Sequence, residues 1–449
     1  MQKQSQKIDM INGPLLKNII RFSIPLMVSS CLQMLFNSAD TIIVGKFSGQ
    51  EALAAVGATG SLIFFMIAIF NGLSIGSNVV IAHMIGRKEK DGIHDAVHTS
   101  YFLALSGGLF LTILGFLLAK PLLSLVGTPD NIIDLSVRYM RIYFLGSVFM
   151  LVYNFGGSIL RSEGDTKRPT YYLAISGVLN VFLNILFVVG LEMSVAGVAI
   201  ATVISQAIAA ILVTRYLMKD TSSKHLNLKD IKFHKDIAKE MISIGVPAGL
   251  QGMLFSISNI VIQSSVNSFG SVVVAGNSAA VNIEGYVYIG MDAFIQAAIT
   301  FTSQNVGARN KKNIRKILLT TMWLTILSGF LVGFLGWFNG DKLLSLFTND
   351  QAVIDAGKYR LQWVCLFLFI NGWLDVFVGS MRGMGHSNLP TIVTLTLICG
   401  LRLAYLWGYF PHHHTLANLY LCFPISWIVT LIAQAILWLY YYKKFDVIA

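Results

Sequence analysis

The sequence predicts an all-α polytopic membrane protein with twelve transmembrane helices, arranged as two six-helix lobes related by a parallel internal repeat. Three observations carry this. Apolar runs long enough to cross a bilayer, about 20 residues each, recur along the 449-residue chain. Only 12% of the residues are charged, where a soluble chain would carry about twice that. The second half of the chain also repeats the pattern of the first. A transmembrane β-barrel would show short alternating strands instead.

The expected spans run 15–43, 52–81, 96–119, 133–157, 169–190, 195–217, 238–267, 273–302, 313–337, 353–380, 389–410 and 415–441. Most of the 33 Lys and Arg fall in the alternate linkers 86–95, 158–168, 218–237, 303–312 and 381–388, or at the helix ends beside them. That asymmetry is the positive-inside bias. The net charge of +11 is therefore read as topology and not as a nucleic-acid footprint. An even number of spans places both termini in the cytoplasm. The start, Met1 to Met10, is polar and lacks the apolar core of a cleaved signal peptide. Cys31, Cys365, Cys399 and Cys422 are widely spaced in apolar runs and offer neither a metal motif nor an evident disulfide.

Residues 218–237, with Lys219, Lys224, Lys229, Lys232 and Lys235, form the longest polar break. It divides an amino-terminal lobe, 1–217, from a carboxy-terminal lobe, 238–449. Pro25 pairs with Pro247, Leu32 with Leu254, Asn37 with Asn259 and Gly86 with Gly307. Ile133-Asp134 matches Ile354-Asp355, Arg161 and Gly164 match Arg382 and Gly385, and Pro169 matches Pro390. Six helices separate equivalent points, so both copies have the same orientation. This is the parallel repeat of a transporter that holds substrate near mid-bilayer.

Polar groups inside the spans mark the candidate sites. In the stretch from Ala275 to Gly307, Glu284, Tyr288, Asp292, Gln296, Thr300 and Gln304 recur every four residues, so each sits one helical turn beyond the last. Two carboxylates about 12 Å apart near the middle of that helix require a wet cavity or a bundle interior. Asp40 lies in the outer part of the first span. It reads either as a helix-end residue in headgroup water or as a carboxylate that loads a cation or proton. Asn180 and Asn184, one turn apart on the fifth span, can ligate a hard cation or serve as interhelical hydrogen-bond donors and acceptors. Thr202, Ser205 and Gln206 on the sixth carry the same two readings. Gln251, Asn259, Gln263 and Asn267 line a polar strip on the seventh span. Asp375 and Arg382 lie two turns apart near the inner end of the tenth span, with Arg161 as the first-half counterpart of Arg382. A structural role at the cytoplasmic gate is the reading favoured for these three. Arg402 stands inside a span and either snorkels or pairs with an acid.

Catalytic motifs are scarce. Gly72-Leu73-Ser74-Ile75-Gly76 matches the spacing of a serine nucleophile, but it is equally the G-x-x-x-G of close helix packing. No histidine sits centrally in a span to act as its base. There is no H-E-x-x-H and no phosphate-binding loop, so the chain reads as a non-enzyme driven by an ion gradient. His412, His413 and His414 fall in an outer loop, where a polar turn and a metal contact are both open readings.

The run Asn37-Ser38-Ala39-Asp40-Thr41-Ile42-Ile43-Val44-Gly45, with Ala54-Ala55-Val56-Gly57, resembles the first two helices of the multidrug and toxic compound extrusion (MATE) transporters. Leu160-Arg161-Ser162-Glu163-Gly164-Asp165-Thr166 and Met381-Arg382-Gly383-Met384-Gly385 resemble its repeated Arg-x-x-Gly signature. The resemblance spans the chain and is closest to the bacterial DinF-like branch. It implies export of cationic, lipophilic compounds against inward Na+ or H+, in a bacterial inner membrane. It also implies a cation site of Asp40, Tyr139, Asn180, Asn184 and Thr202, with Asn184 standing where the branch often has a second acid. The expected substrate cavity comprises Gln251, Asn259, Glu284, Tyr288, Met291 and Asp292, its acids attracting a positive substrate. No cofactor beyond the coupling ion, no nucleic-acid partner and a monomer in the lipid bilayer are expected. The competing expectations are a lipid-linked saccharide flippase of the same superfamily, which would want a more basic cavity, and an intramembrane serine protease.

Overall fold

The computed structural model describes residues 8–448. Twelve helical spans follow in order. They are α1 Leu15–Phe47, α2 Gly49–Arg87, α3 Lys90–Leu125, and α4, made of Asp130–Leu145 and Ser147–Ser162 bent by 48° at Gly146. Next come α5 Lys167–Gly190, α6 Ser194–Lys219, α7 Lys235–Asn267, α8 Ser271–Gly307 and α9 Lys311–Phe338. The last three are α10 Gln351–Gly383, α11 Asn388–His412 and α12 Leu416–Ile448. No strand occurs among the described residues. Ten of these helices are long and apolar enough to cross a membrane, and the bent pair makes eleven. The twelfth, α8, has 37 residues, and its polar stripe is what lowers its apolar character.

Side chains on opposite faces of these helices meet different surroundings. Leu109, Phe110, Ile113 and Leu117 on α3 are exposed while Ala104, Leu111, Ala119 and Leu123 are buried. Such an apolar exterior suits lipid and not water.

The chain clusters into two compact units. The first is built from Val28–Leu250, the second from Asp9–Met27 with Gln251–Ala449. These limits differ from the halves expected from the repeat. The exchange points lie within α1 and α7, three residues beyond Pro25 and Pro247, the two prolines that the repeat pairs.

The physical reasons are visible on both sides. In the second unit, Asn305 Nδ2 donates to Met10 O at 2.9 Å and Asn313 Nδ2 to Ile11 O at 2.7 Å. Ser23 Oγ donates to Ala293 O, and Phe22 meets Phe301 edge-on at 5.5 Å. In the first unit, α2 and the start of α7 cross almost backbone to backbone. A Cβ at Gly72 would lie 2.3 Å from Gly245 O, and one at Gly249 would lie 2.4 Å from Ile69 Cα. The glycine pair at 72 and 76 is thus a helix-packing surface.

The break between α6 and α7 is folded and not a loose tether. Lys224 and Leu226 are each 1% exposed. His98 on α3 pins it: its Nδ1 faces His94 O at 2.7 Å, and its Nε2 accepts the Asn227 N–H at 3.1 Å.

Candidate functional site

Each unit gathers its buried polar groups into one place. In the first unit, α5 presents Asn180 and Asn184 one turn apart toward α1 and α6. Asn184 Nδ2 donates to Asp40 Oδ1 at 2.5 Å and lies 3.1 Å from Asn180 Oδ1. Asn180 Nδ2 points to Thr202 Oγ1 at 3.4 Å, and that hydroxyl donates to Val198 O. Asp40, Asn184, Asn180 and Thr202 therefore form one chain across three helices. Asn184 is fully buried, and its Oδ1 has no hydrogen-bond donor among the described residues. An amide oxygen in that position is a ready ligand for a hard cation or a water.

Tyr139 on α4 is buried beside the chain, its ring 6.2 Å from Tyr143, and both tyrosines feel the charge of Asp40. Directly after Asn184 the helix widens into a π-helix over Ile185–Gly190. Such segments are uncommon and collect at functional sites. All five residues expected for the cation site are thus placed around one spot.

In the second unit a cavity of about 410 Å³ is lined by α7, α8, α10, α11 and α12. Asn259, Glu284 and Tyr288 of the expected set line it, joined by Asn277, Arg360, Asn371, Asp375 and Arg402. The apolar wall includes Phe255, Ile262, Ile398, Phe423 and Trp427. Glu284 does not stand as a free acid. Arg360 Nε and Nη2 donate to its two carboxylate oxygens at 2.7 and 2.8 Å, while Nη1 donates to Asn277 Oδ1 at 2.8 Å. The lining set, with Glu284 and Asp375 against Arg360 and Arg402, is balanced in charge, not acidic as expected.

Four other expectations, for Asp375, Met291, Gln251 and Asp292, are corrected. Asp375 faces this cavity and not a gate: its Oδ2 accepts from Tyr288 OH at 3.2 Å and from Asn371 Nδ2 at 3.1 Å. Met291 is fully buried, and a Cβ at Gly329 would meet its sulfur at 2.7 Å, so it packs helices instead of touching a ligand. Gln251 is taken up by Arg382, whose Nη2 donates to its Oε1 at 2.6 Å. Asp292 is half-buried outside the cavity lining and interacts electrostatically with Asp375 and Tyr288. Arg161 donates to Ser158 Oγ at 2.7 Å within α4.

Arg360 was missed because, seven residues inside the expected tenth span, it reads as a helix-end charge. The signal was its place among apolar residues in a span, where an ionisable group marks a site. Ser74 Oγ donates to Asn71 O, the local bond of a packed helix residue. His414 stacks on Phe269 at 4.3 Å and bonds Ser268, and His413 stacks on Tyr409 at 4.4 Å, so both rings serve packing. His94, His98 and Asp230 lie close enough to share an ion, but both ring nitrogens of His98 are already engaged.

Two repeated units of membrane-length helices, each with a cluster of buried polar groups, are the architecture of a membrane transporter. The MatE family model matches residues 25–186 and 247–407, each segment starting at a proline of the repeat. The chain belongs to that family of multidrug efflux transporters. It is 29% identical to the probable multidrug resistance protein YpnP of Bacillus subtilis, over 86% of both chains. It is 26% identical to the probable multidrug resistance protein NorM of Thermotoga maritima, over 86% of this chain and 84% of that one. In fold it is similar to a MATE transporter in complex with MaL6, with a TM-score of 0.92 at 24% identity, over 98% of this chain and 99% of that one.

Proposed function

We propose that this protein is an antiporter of a bacterial cytoplasmic membrane, with both termini inside, that exports lipophilic cationic compounds against an inward flow of Na+ or H+. The observation that carries the reading is the chain Asp40–Asn184–Asn180–Thr202, which joins one carboxylate to three neutral oxygen-bearing side chains with one amide oxygen left open. A carboxylate with amide and hydroxyl oxygens around it suits a hard monovalent cation, and the same carboxylate can take a proton. Coupling requires that the ion and the substrate favour different arrangements of the protein.

For the substrate, the second unit's cavity offers aromatic faces at Phe255, Phe423 and Trp427 and a carboxylate at Asp375. Drug-sized ligands occupy pockets of about 300–1,000 Å³ with such walls. The cationic preference rests on Asp375 and not on Glu284, which Arg360 neutralises.

The test is dye efflux from proteoliposomes containing purified protein, with Na+ and pH gradients imposed separately. Ethidium should leave against its own gradient when one ion gradient is present, and Asp40→Asn should abolish this while the protein elutes and melts as the parent does. Full gradient-driven efflux by Asp40→Asn removes Asp40 from the mechanism.

A further inference from the structure

The second unit's cavity holds a buried cation that no carboxylate among the described residues pairs with. Arg402 is 6% exposed. Its Nε donates to Ser426 Oγ at 3.0 Å, and its guanidinium lies over the rings of Phe423 at 4.5 Å and Trp427 at 5.8 Å. A guanidinium carries five N–H donors, so four remain after that bond. No carboxylate pairs with it among the described residues. Glu284, the acid on the same cavity, is committed bidentately to Arg360. Asp375 is held by Tyr288 and Asn371. Burying a charge without a counter-charge is costly, and a protein that keeps one there normally binds something with it.

The repeat sharpens this. At the spacing that pairs Asn37 with Asn259, Asp40 falls on Ile262. At the spacing that pairs Arg161 with Arg382 and Pro169 with Pro390, Tyr139 falls on Arg360 and Val181 on Arg402. Ile262, Arg360 and Arg402 all line the second unit's cavity. Where the first unit places an acid and no arginine, the second places an aliphatic residue and two arginines. The charge is reversed at these equivalent positions, while Glu284 and Asp375 balance the two arginines over the cavity as a whole.

We propose that Arg402 is an oxyanion subsite, which takes the carboxylate, sulfonate or phosphate of an amphiphile whose apolar body lies against Phe255, Ile398 and Phe423. Guanidinium groups match such oxyanions with two parallel N–H···O bonds, and the rings beneath Arg402 hold its plane. Asp375 lines the same cavity and offers a carboxylate to a cationic group on the ligand, so zwitterionic amphiphiles fit best. This deepens the reading of the cavity as a substrate site and rests on it, so the test measures equilibrium binding with no gradient and fails or succeeds independently of coupled transport.

The probes are a rhodamine free acid and its methyl ester, which share one ring system and differ in the oxyanion. Fluorescence polarisation with purified full-length protein should show the free acid binding about tenfold or more tightly than the ester, which is about 1.4 kcal/mol. Arg402→Gln should remove that preference by weakening the acid alone, and Arg402→Lys should restore part of it. Competition by phosphatidylglycerol and phosphatidylcholine, absent with diacylglycerol, which has no phosphate, assigns the natural oxyanion to a lipid headgroup. No competition assigns it to a soluble amphiphile. Equal binding of acid and ester to the parent protein, or an equal loss of both in Arg402→Gln, overturns the subsite. The parent comparison stands even where a variant does not fold.

Discussion

Glu284 and Arg360 face each other through two parallel N–H···O contacts of 2.7 and 2.8 Å, inside a helix bundle where both side chains are largely buried. The third donor group of the guanidinium goes to Asn277, whose own amide reaches Gln263 at 3.1 Å. The pair therefore organises α7, α8 and α10 around the second unit's cavity. Removing one member of a buried pair strands the other charge and costs about 3–5 kcal/mol, whereas removing both with apolar groups is often neutral. Glu284→Gln and Arg360→Gln should each lower the thermal midpoint of the purified protein sharply, and Glu284→Leu with Arg360→Leu should recover most of it. If Glu284→Gln melts as the parent does and changes only the range of exported compounds, the acid acts on substrate directly.

Asn184 is the hinge of the first unit's site. Its Nδ2 is shared between Asp40 and Asn180, and its Oδ1 is open. Asn184→Leu removes the donor that orients Asp40 together with the free oxygen, while Asn180→Leu removes only the next link toward Thr202. The expected order is a larger loss of ion affinity in Asn184→Leu, about tenfold or more, than in Asn180→Leu. Isothermal titration with Na+ at high pH, or proton-coupled efflux where Na+ does not bind, measures both. Equal effects would mean that the two amides act only as packing.

These two sites were unequally legible in the sequence. Asp40, Asn180, Asn184 and Thr202 are polar residues on apolar helices, and a spacing of four between the amides already puts them on one face. Their convergence from three helices is tertiary: each residue stands out alone as a polar group in an apolar span, but only the family resemblance groups them into one site. Glu284 and Asp375 stood out for the same reason, but their roles did not. Whether a buried acid is free or paired depends on which helix packs against it, and Arg360 is 76 residues away from Glu284. Helix length and the repeat were plain from apolar periodicity and Pro25/Pro247. The exchange of α1 and α7 between the compact units was not, since it follows from contacts such as Ser23 with Ala293 that no local pattern encodes.

Gly72, Gly76, Gly245 and Gly249 let α2 and α7 touch backbone to backbone within the first unit. A Cβ at Gly76 would fall 2.2 Å from Met241 O, and one at Gly245 would fall 2.5 Å from Leu73 Cα. Neither contact can relax by rotating a side chain, so the helices must separate along their length. Gly76→Val and Gly245→Val should therefore cost stability of about 1–3 kcal/mol or more, the usual effect of overpacking. Ser74→Ala, whose hydroxyl only bonds its own helix, should melt and transport as the parent does. Thermal unfolding and efflux of the three variants side by side check this. A peptidase activity lost in Ser74→Ala would reverse the assignment of this segment.

Lys224, in the segment between α6 and α7, is a buried ammonium with two acids. It pairs with Glu163 and, at 3.2 Å, with Asp220, and it lies 5.5 Å from the Tyr216 ring. Burial alone would lower its affinity for a proton, but Glu163 and Asp220 outweigh that and raise it above the ordinary lysine range. Asp220 moves the other way. Burial would raise it, yet Ser222, whose N–H donates to it at 2.8 Å, and Lys224 hold it below the usual carboxylate value. A carboxylate whose folded value is depressed contributes stability that is complete above its unfolded value, about 3.9, and is lost as pH falls through the lower folded one. The raised lysine contributes fully below about 10.4 and loses its part only as pH climbs through its higher folded value. The clamp should thus hold over the whole neutral range and weaken at both extremes. Lys224→Met should cost about 3–5 kcal/mol at neutral pH, because it leaves Glu163 and Asp220 buried without their cation. Its thermal midpoint should also fall less than the parent's between neutral pH and pH values below the ordinary carboxylate range. Parallel melting curves for the two proteins across that acid limb would show the clamp to be inert.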